Sequence, residues 1–210
     1  AANLGILTAL AGRSAEIFGD RLNHACLNDG AVLSRAAFRR YPHGDLGRLE
    51  SMLAASKAAI RVIASDTVFS MDGDIAPVAG LLALAERHDA WLVLDDAHGI
   101  GVLGGGRGAL AHAGIRSPRI VYMATLGKAL GGYGAFVAGE PDLVEWLMQR
   151  ARTYVFSTAL PPAAAAVATA ALRLLEEDPG IVSSLGERIA DFRRACDAAG
   201  IATASTTAIQ

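Results

Sequence analysis

Short, almost unbroken apolar runs alternate along this chain with longer segments in which apolar residues recur every three or four positions. The runs are AIRVIA (59–64), WLVLD (91–95), RIVYMAT (119–125) and GAFVAG (134–139). Runs of this length read as strands, and near-absence of polar breaks is expected where both faces of a sheet are covered. Between the first two, Pro77 stands where a first helical turn tolerates proline, and Val78, Leu81, Leu82 and Ala85 then share one helical face. Pro141 opens another helix through Arg150, with Leu143, Trp146 and Leu147 as its packing residues. Val182, Leu185, Ile189, Phe192 and Cys196 mark a long amphipathic helix, for which Gly200 is the expected C-terminal cap. The alternation predicts an α/β fold: a mostly parallel central sheet flanked by helices.

Composition narrows the function. Of 210 residues, 52% are hydrophobic, ample for a large core. The 19 basic residues are scattered among 21 acidic ones without a basic stripe, which argues against a nucleic-acid partner. The longest apolar stretch, ALPPAAAAVATAALRLL, carries two prolines and is broken by Arg173, so it reads as a packed helix and not a membrane span. Cys26 and Cys196 have neither metal nor redox spacing, and AANLGILTAL lacks the basic start of a secretory signal. A reducing, cytoplasmic setting is expected. The chain starts without methionine, within what reads as a helix, and stops at STTAIQ; we expect it to be a piece of something longer.

In open α/β sheets ligands lie beyond the carboxyl ends of the strands. The polar residues fall there: Asp66 and Ser70 after the first run, Asp95 and His98 after the second, Thr125 and Lys128 after the third. Several chemistries could use them. Gly99, Gly101 and Gly104 match the dinucleotide fingerprint literally, but Asp95, Asp96 and His98 intervene and no acid follows near Thr125. TLGKAL lacks the first glycine and the hydroxyl of a nucleotide P-loop. Asp95, Asp96, His98 and His24 could ligate a metal, a reading that leaves Lys128 without a task. A pyridine-aldehyde cofactor needs a lysine amine, a carboxylate for the ring nitrogen, partners for a phenolate and a phosphate site. Lys128, Asp95, His98 with Ser70, and Thr125 supply one group for each.

Five stretches, DRLNHACLNDG, DTVFSMDGDIAPV, LVLDDAHGIGVLGGGRG, TLGKALGGYGAF and FSTALPPA, run in order over almost all of the chain. In them the sequence resembles the α-oxoamine synthases, pyridoxal phosphate enzymes of fold type I. The resemblance implies the large cofactor-binding domain of that fold over residues 1–178, truncated at its start. Residues 179–210 would be a connecting helix and the beginning of a small C-terminal domain. Carried over, Lys128 forms the Schiff base and later moves the α-proton, Asp95 pairs with the pyridinium nitrogen, and His98 and Ser70 face the phenolic oxygen. Thr125 meets the phosphate, and His24 stacks on the ring close to substrate. Thr158 reaches the phosphate held by the other protomer, which implies a homodimer with shared active sites and no metal.

The implied reaction is a decarboxylating condensation of an amino acid with an acyl thioester. DGDIAP and STALPP resemble the biotin-pathway branch, in which alanine meets pimeloyl-CoA or a pimeloyl carrier protein; a glycine-using ligase of the family is the alternative. The family's phosphate-binding Gly-aromatic pair would fall just before Ala1, and its small domain after Gln210. A non-catalytic fragment or interaction subunit is therefore the reading from a different class. Each residue also has a plainer role open to it. His24 could be a surface residue at a helix start, Ser70 turn chemistry, Thr125 a strand-end hydroxyl on backbone, Lys128 a solvated lysine; Asp96 reads as a capping or paired acid.

Overall fold

A computed structural model describes all 210 residues. A six-stranded sheet forms its centre: β1 (Ala15–Asp20), β2 (Ala37–Tyr41), β3 (Ile60–Asp66), β4 (Trp91–Asp95), β5 (Ile120–Thr125) and β6 (Ala135–Ala138). The order is β2-β1-β3-β4-β5-β6, parallel except for the antiparallel β6. Nine helices accompany it: α1 (Ala2–Leu10), α2 (Ala25–Leu33), α3 (Leu46–Ala55), α4 (Val78–Arg87), α5 (Ala109–Ala113), α6 (Pro141–Arg150), α7 (Arg152–Val155), α8 (Pro162–Glu177) and α9 (Gly180–Ala198). No helix is long and apolar enough to cross a membrane.

The apolar runs are explained by the strand period of two. Phe18, Ile63, Leu92, Leu94 and Tyr122 point to one face, where Leu49 and Leu53 of α3 and Leu81 and Ala85 of α4 cover them. Ile17, Val62, Val93, Val121 and Met123 point to the other, under α1, α2 and α6. Both faces of the central strands β3, β4 and β5 are thus core along most of their length, and their rows contain few polar breaks.

The four strands expected from the sequence are present within one or two residues at each end. The two that the apolar pattern does not reveal are β1 and β2. β1 is buried throughout, yet its sequence AEIFGD contains two acids: Glu16 pairs with Arg39 and Ser56, and Asp20 accepts from Leu22 N, Gly44 N and His43. β2 is an edge strand, AFRRY, exposed along most of its length. Gly200 ends α9 as expected: with φ +72° it lets Ile201 N reach Cys196 O at 2.9 Å and Gly200 N reach Asp197 O at 3.1 Å, the paired bonds of a Schellman cap. Val182, Leu185, Ile189 and Cys196 form its half-buried stripe, while Phe192, expected among them, is 50% exposed.

The connection from β1 to β2 runs to one side and β3 returns on the other side of β1, so the chain reverses direction across the sheet there. Asp20, Asp66, Asp95 and Thr125 are the last residues of β1, β3, β4 and β5. Beyond β3, an antiparallel bridge of Val68 with Ile75 closes a small hairpin that carries Ser70. His43 fastens that hairpin to the sheet: Nδ1 meets Asp20 Oδ1 at 3.0 Å, Nε2 meets Asp74 Oδ2 at 2.9 Å, and the ring stands edge-on to Phe69.

Burial opposes the imidazolium of His43, but its hydrogen bonds to Asp20 and Asp74 and their charges outweigh it and raise the pKa above 6.5. Its contribution to stability is therefore complete below that value and is lost as pH rises through the raised folded pKa. Urea unfolding should show the parent more stable than His43→Gln at about pH 6, with the gap closing by about pH 9. A gap independent of pH would refute the assignment.

Candidate active site

The site is built on two consecutive acids that the strand period turns in opposite directions. Asp96 is wholly buried and accepts from the Thr67 hydroxyl, the Tyr122 hydroxyl and Ala109 N (3.0 Å), so it holds β3, β5 and the start of α5 together. Burial raises its pKa against the pull of these donors, with Asp95 adding to the rise. The glycines that follow make room for it. A Cβ on Gly99 would overlap the Asp96 carboxylate, and one on Gly108, at φ +88°, would meet both Asp96 and Tyr122. Of the literal dinucleotide fingerprint, Gly99 packs on this acid, whereas Gly101 meets Ala129 and Gly104 meets Ala111 and His112 of α5.

Asp95, 4% exposed, accepts from Asn3 Nδ2 at 2.6 Å on one oxygen and from Ala97 N at 2.9 Å on the other. Register sets Asp66 directly beside it on β3. Asp66 Oδ2 accepts from His24 N at 2.6 Å. Burial and then the Asp95 charge push the Asp66 carboxyl up to about 7, with the His24 amide and Lys128 opposing.

Lys128 stands exposed after β5, and its Nζ is 2.7 Å from His98 Nε2. Burial first, then the Lys128 charge, lowers the His98 pKa, so a neutral imidazole faces the amine. The loop bearing Lys128 is pinned at its neck by Leu126 N to Gly134 O (2.9 Å) and Gly132 N to Leu126 O (2.8 Å), with Gly131 N on Lys128 O at 2.9 Å. Gly131 at φ +60° and Gly134 at φ +110° permit that path.

The other expected residues are placed as follows. His24 is exposed and caps α2, its Nδ1 accepting from Cys26 N at 3.2 Å and lying 2.9 Å from Cys26 Sγ. It lies within electrostatic reach of His98. Ser70 is in the hairpin turn and makes no hydrogen bond to the others. The Thr125 hydroxyl is spent on backbone, donating to Gly134 O at 3.1 Å and accepting from Gly127 N at 3.2 Å. Thr158 lies in the exposed segment between α7 and α8. No three His, Cys, Asp or Glu side chains converge as metal ligands, and both Asp96 oxygens already serve the fold. Asn3 was not anticipated. Its signal was a lone polar side chain on a helix face otherwise made by Ile6 and Leu7.

Two outcomes test this geometry. His98 should titrate below 6.5 by imidazole NMR, and Lys128→Ala, which removes a positive charge, should raise that midpoint. An unmoved midpoint would mean that the two groups do not face each other. Gly108→Ala should destabilise by about 2–3 kcal/mol in urea unfolding. Gly105→Ala, also left-handed but with open space around it, should cost only about 1 kcal/mol.

Comparison with known proteins agrees with the fold. The family model described as "Aminotransferase class I and II" matches residues 1–209. The 8-amino-7-oxononanoate synthase of Methylobacillus flagellatus is 59% identical over 196 residues, 93% of this chain and 50% of the relative. The crystal structure of 8-amino-7-oxononanoate synthase from Francisella tularensis superposes with a TM-score of 0.83 at 34% identity, covering 98% of this chain and 60% of that one. Serine palmitoyltransferase from S. paucimobilis, solved with a bound PLP–myriocin aldimine, gives 0.85 at 30% identity, covering 98% and 52%. The chain spans about half the length of the curated relatives it matches. With the parallel sheet, the acids at its carboxyl edge and a match running from the first residue to the last but one, the chain belongs to the class I and II aminotransferase family.

Proposed function

We propose that the full-length protein is a pyridoxal phosphate-dependent acyltransferase. It joins L-alanine to a pimeloyl thioester and releases the thiol and CO₂, giving 8-amino-7-oxononanoate. The observation that carries this reading is the exposed Lys128 amine set 2.7 Å from His98, which in turn feels the charge of the buried Asp95. The donor set fits the cofactor at its reactive end. Lys128 is open to an aldehyde, and each Asp95 oxygen, with one hydrogen bond accepted, retains a lone pair for a ring N–H. The names of the similar proteins, 8-amino-7-oxononanoate synthases among them, support the same chemistry.

When bound, pyridoxal phosphate supplies an electron-withdrawing ring that stabilises negative charge at the substrate α-carbon. Lys128 would hold it through its Nζ amine, and the same amine is the group placed to take the substrate α-proton. A positioned general base contributes about 10²–10⁴-fold. His98, kept neutral by burial and by Lys128, accepts a hydrogen bond from that amine and orients it. Asp95 would hold the ring nitrogen and favour its protonated form. The α-carbon then bonds to the thioester carbonyl carbon as the C–S bond breaks, and loss of the carboxylate as CO₂ leaves its electron pair at that carbon, which takes up a proton. Thr158 serves the other protomer of a homodimer, and residues 179–210 lead into a second domain. The two unpaired cysteines suit a cytoplasmic enzyme.

Reduction of the full-length protein with borohydride in the presence of pyridoxal phosphate should label the peptide containing Lys128, and Lys128→Ala should abolish the label. Label elsewhere, or none, would overturn the reading. With pimeloyl thioester, alanine is expected to turn over and glycine poorly; the reverse preference would replace the substrate and keep the cofactor.

A further inference from the structure

Asn3 lies on the buried face of α1, one turn before Ile6 and Leu7, and is 2% exposed. Its Nδ2 donates to Asp95 Oδ2 at 2.6 Å and lies 3.1 Å from Cys26 Sγ. Its Oδ1 is buried with no partner. An orphaned buried carbonyl is a cost that an apolar side chain of the same volume would avoid. The amide cannot turn to relieve it, because Oδ1 would then face a carboxylate oxygen, acceptor against acceptor. What asparagine provides here and leucine cannot is the N–H aimed at Asp95.

Asp95 has a competitor for the negative charge. Asp66 stands beside it in register, 3% exposed, and two carboxylates this close in a buried edge do not both ionise without cost. The donors are unequal. Asp95 receives Asn3 Nδ2 and Ala97 N, whereas Asp66 receives only His24 N. The Ala97 amide is backbone and is there whatever side chain position 97 carries; the Asn3 amide depends on the residue. The other charged or titratable groups acting on the pair are Lys128, Asp20, Asp96, His98, Cys26 and Tyr122, while His24 acts on Asp66 through its backbone amide.

We propose that Asn3 is a positioning residue that makes Asp95, and not Asp66, the ionised member of the pair. The negative charge then sits at the end of β4 and the shared proton at the end of β3. The raised Asp66 carboxyl, near 7, agrees with that division. The functional meaning rests on Asp95 as the partner of the cofactor ring; the division of charge does not.

The test is carboxyl-carbon NMR of the full-length protein, first without and then with pyridoxal phosphate. In the parent, the titration step near 7 should appear at the Asp66 carboxyl carbon alone. In Asn3→Leu, which keeps the volume and removes the donor, the step should be shared between Asp66 and Asp95. Asn3→Ala, a good helix former that also lacks the donor, is read the same way if the leucine variant does not fold. A step confined to Asp66 in either variant, or already shared in the parent, would overturn the proposal. A merely structural role would lower the melting temperature and leave the pattern unchanged. Added cofactor should bind the leucine variant about tenfold more weakly. Failure of the parent to bind it would sink the cofactor reading and leave the carboxyl result standing.

Discussion

The carboxyl edge of this sheet depends on one buried carboxylate. Asp96 has no solvent contact, and desolvation of an acid is offset only by good donors. It takes them from three places: Thr67 beyond β3, Tyr122 within β5 and Ala109 at the start of α5. These contacts set the spacing of three strands at the end where the candidate site lies. They also fix which way β4 faces. Because neighbouring strand residues point to opposite sides, committing Asp96 to the fold turns Asp95 the other way, towards Asn3. The cost of two adjacent acids at a strand end is met by giving each a separate set of donors.

This division of labour explains why the glycines look like one motif and act as another. In sequence they resemble a phosphate-binding turn. In space Gly99 and Gly108 are small because the Asp96 carboxylate occupies the volume a side chain would need. The spacing matches the fingerprint, but each of its glycines makes room for the protein's own atoms: Gly99 for Asp96, Gly101 for Ala129 and Gly104 for α5.

Much of the fold and part of the site could be read from the residues. Strands covered on both faces announce themselves as apolar rows, so β3, β4, β5 and β6 were legible. β1 was not, although it is the most uniformly buried strand, because Glu16 and Asp20 are paired with groups distant in sequence. Asp95, His98 and Lys128 were legible as polar groups at successive strand ends, and Lys128 and His98 do meet. Ser70 sits in the hairpin turn, and the Thr125 hydroxyl hydrogen-bonds within its own loop. Asn3 escaped notice because its contact with Asp95 bridges 92 positions and no local pattern encodes it.

The loop after β5 has a mechanical consequence. Hydrogen bonds across its neck, between Leu126 and both Gly132 and Gly134, close it almost into a ring, so the backbone at Lys128 is a fixed pivot. The freedom that remains belongs to the side chain, four flexible carbons ending in the amine. Such an arm can leave one bonding partner, swing through a short arc and meet another while its base stays still. The nitrogen can therefore change position by rotation of single bonds alone, with no rearrangement of the sheet beneath.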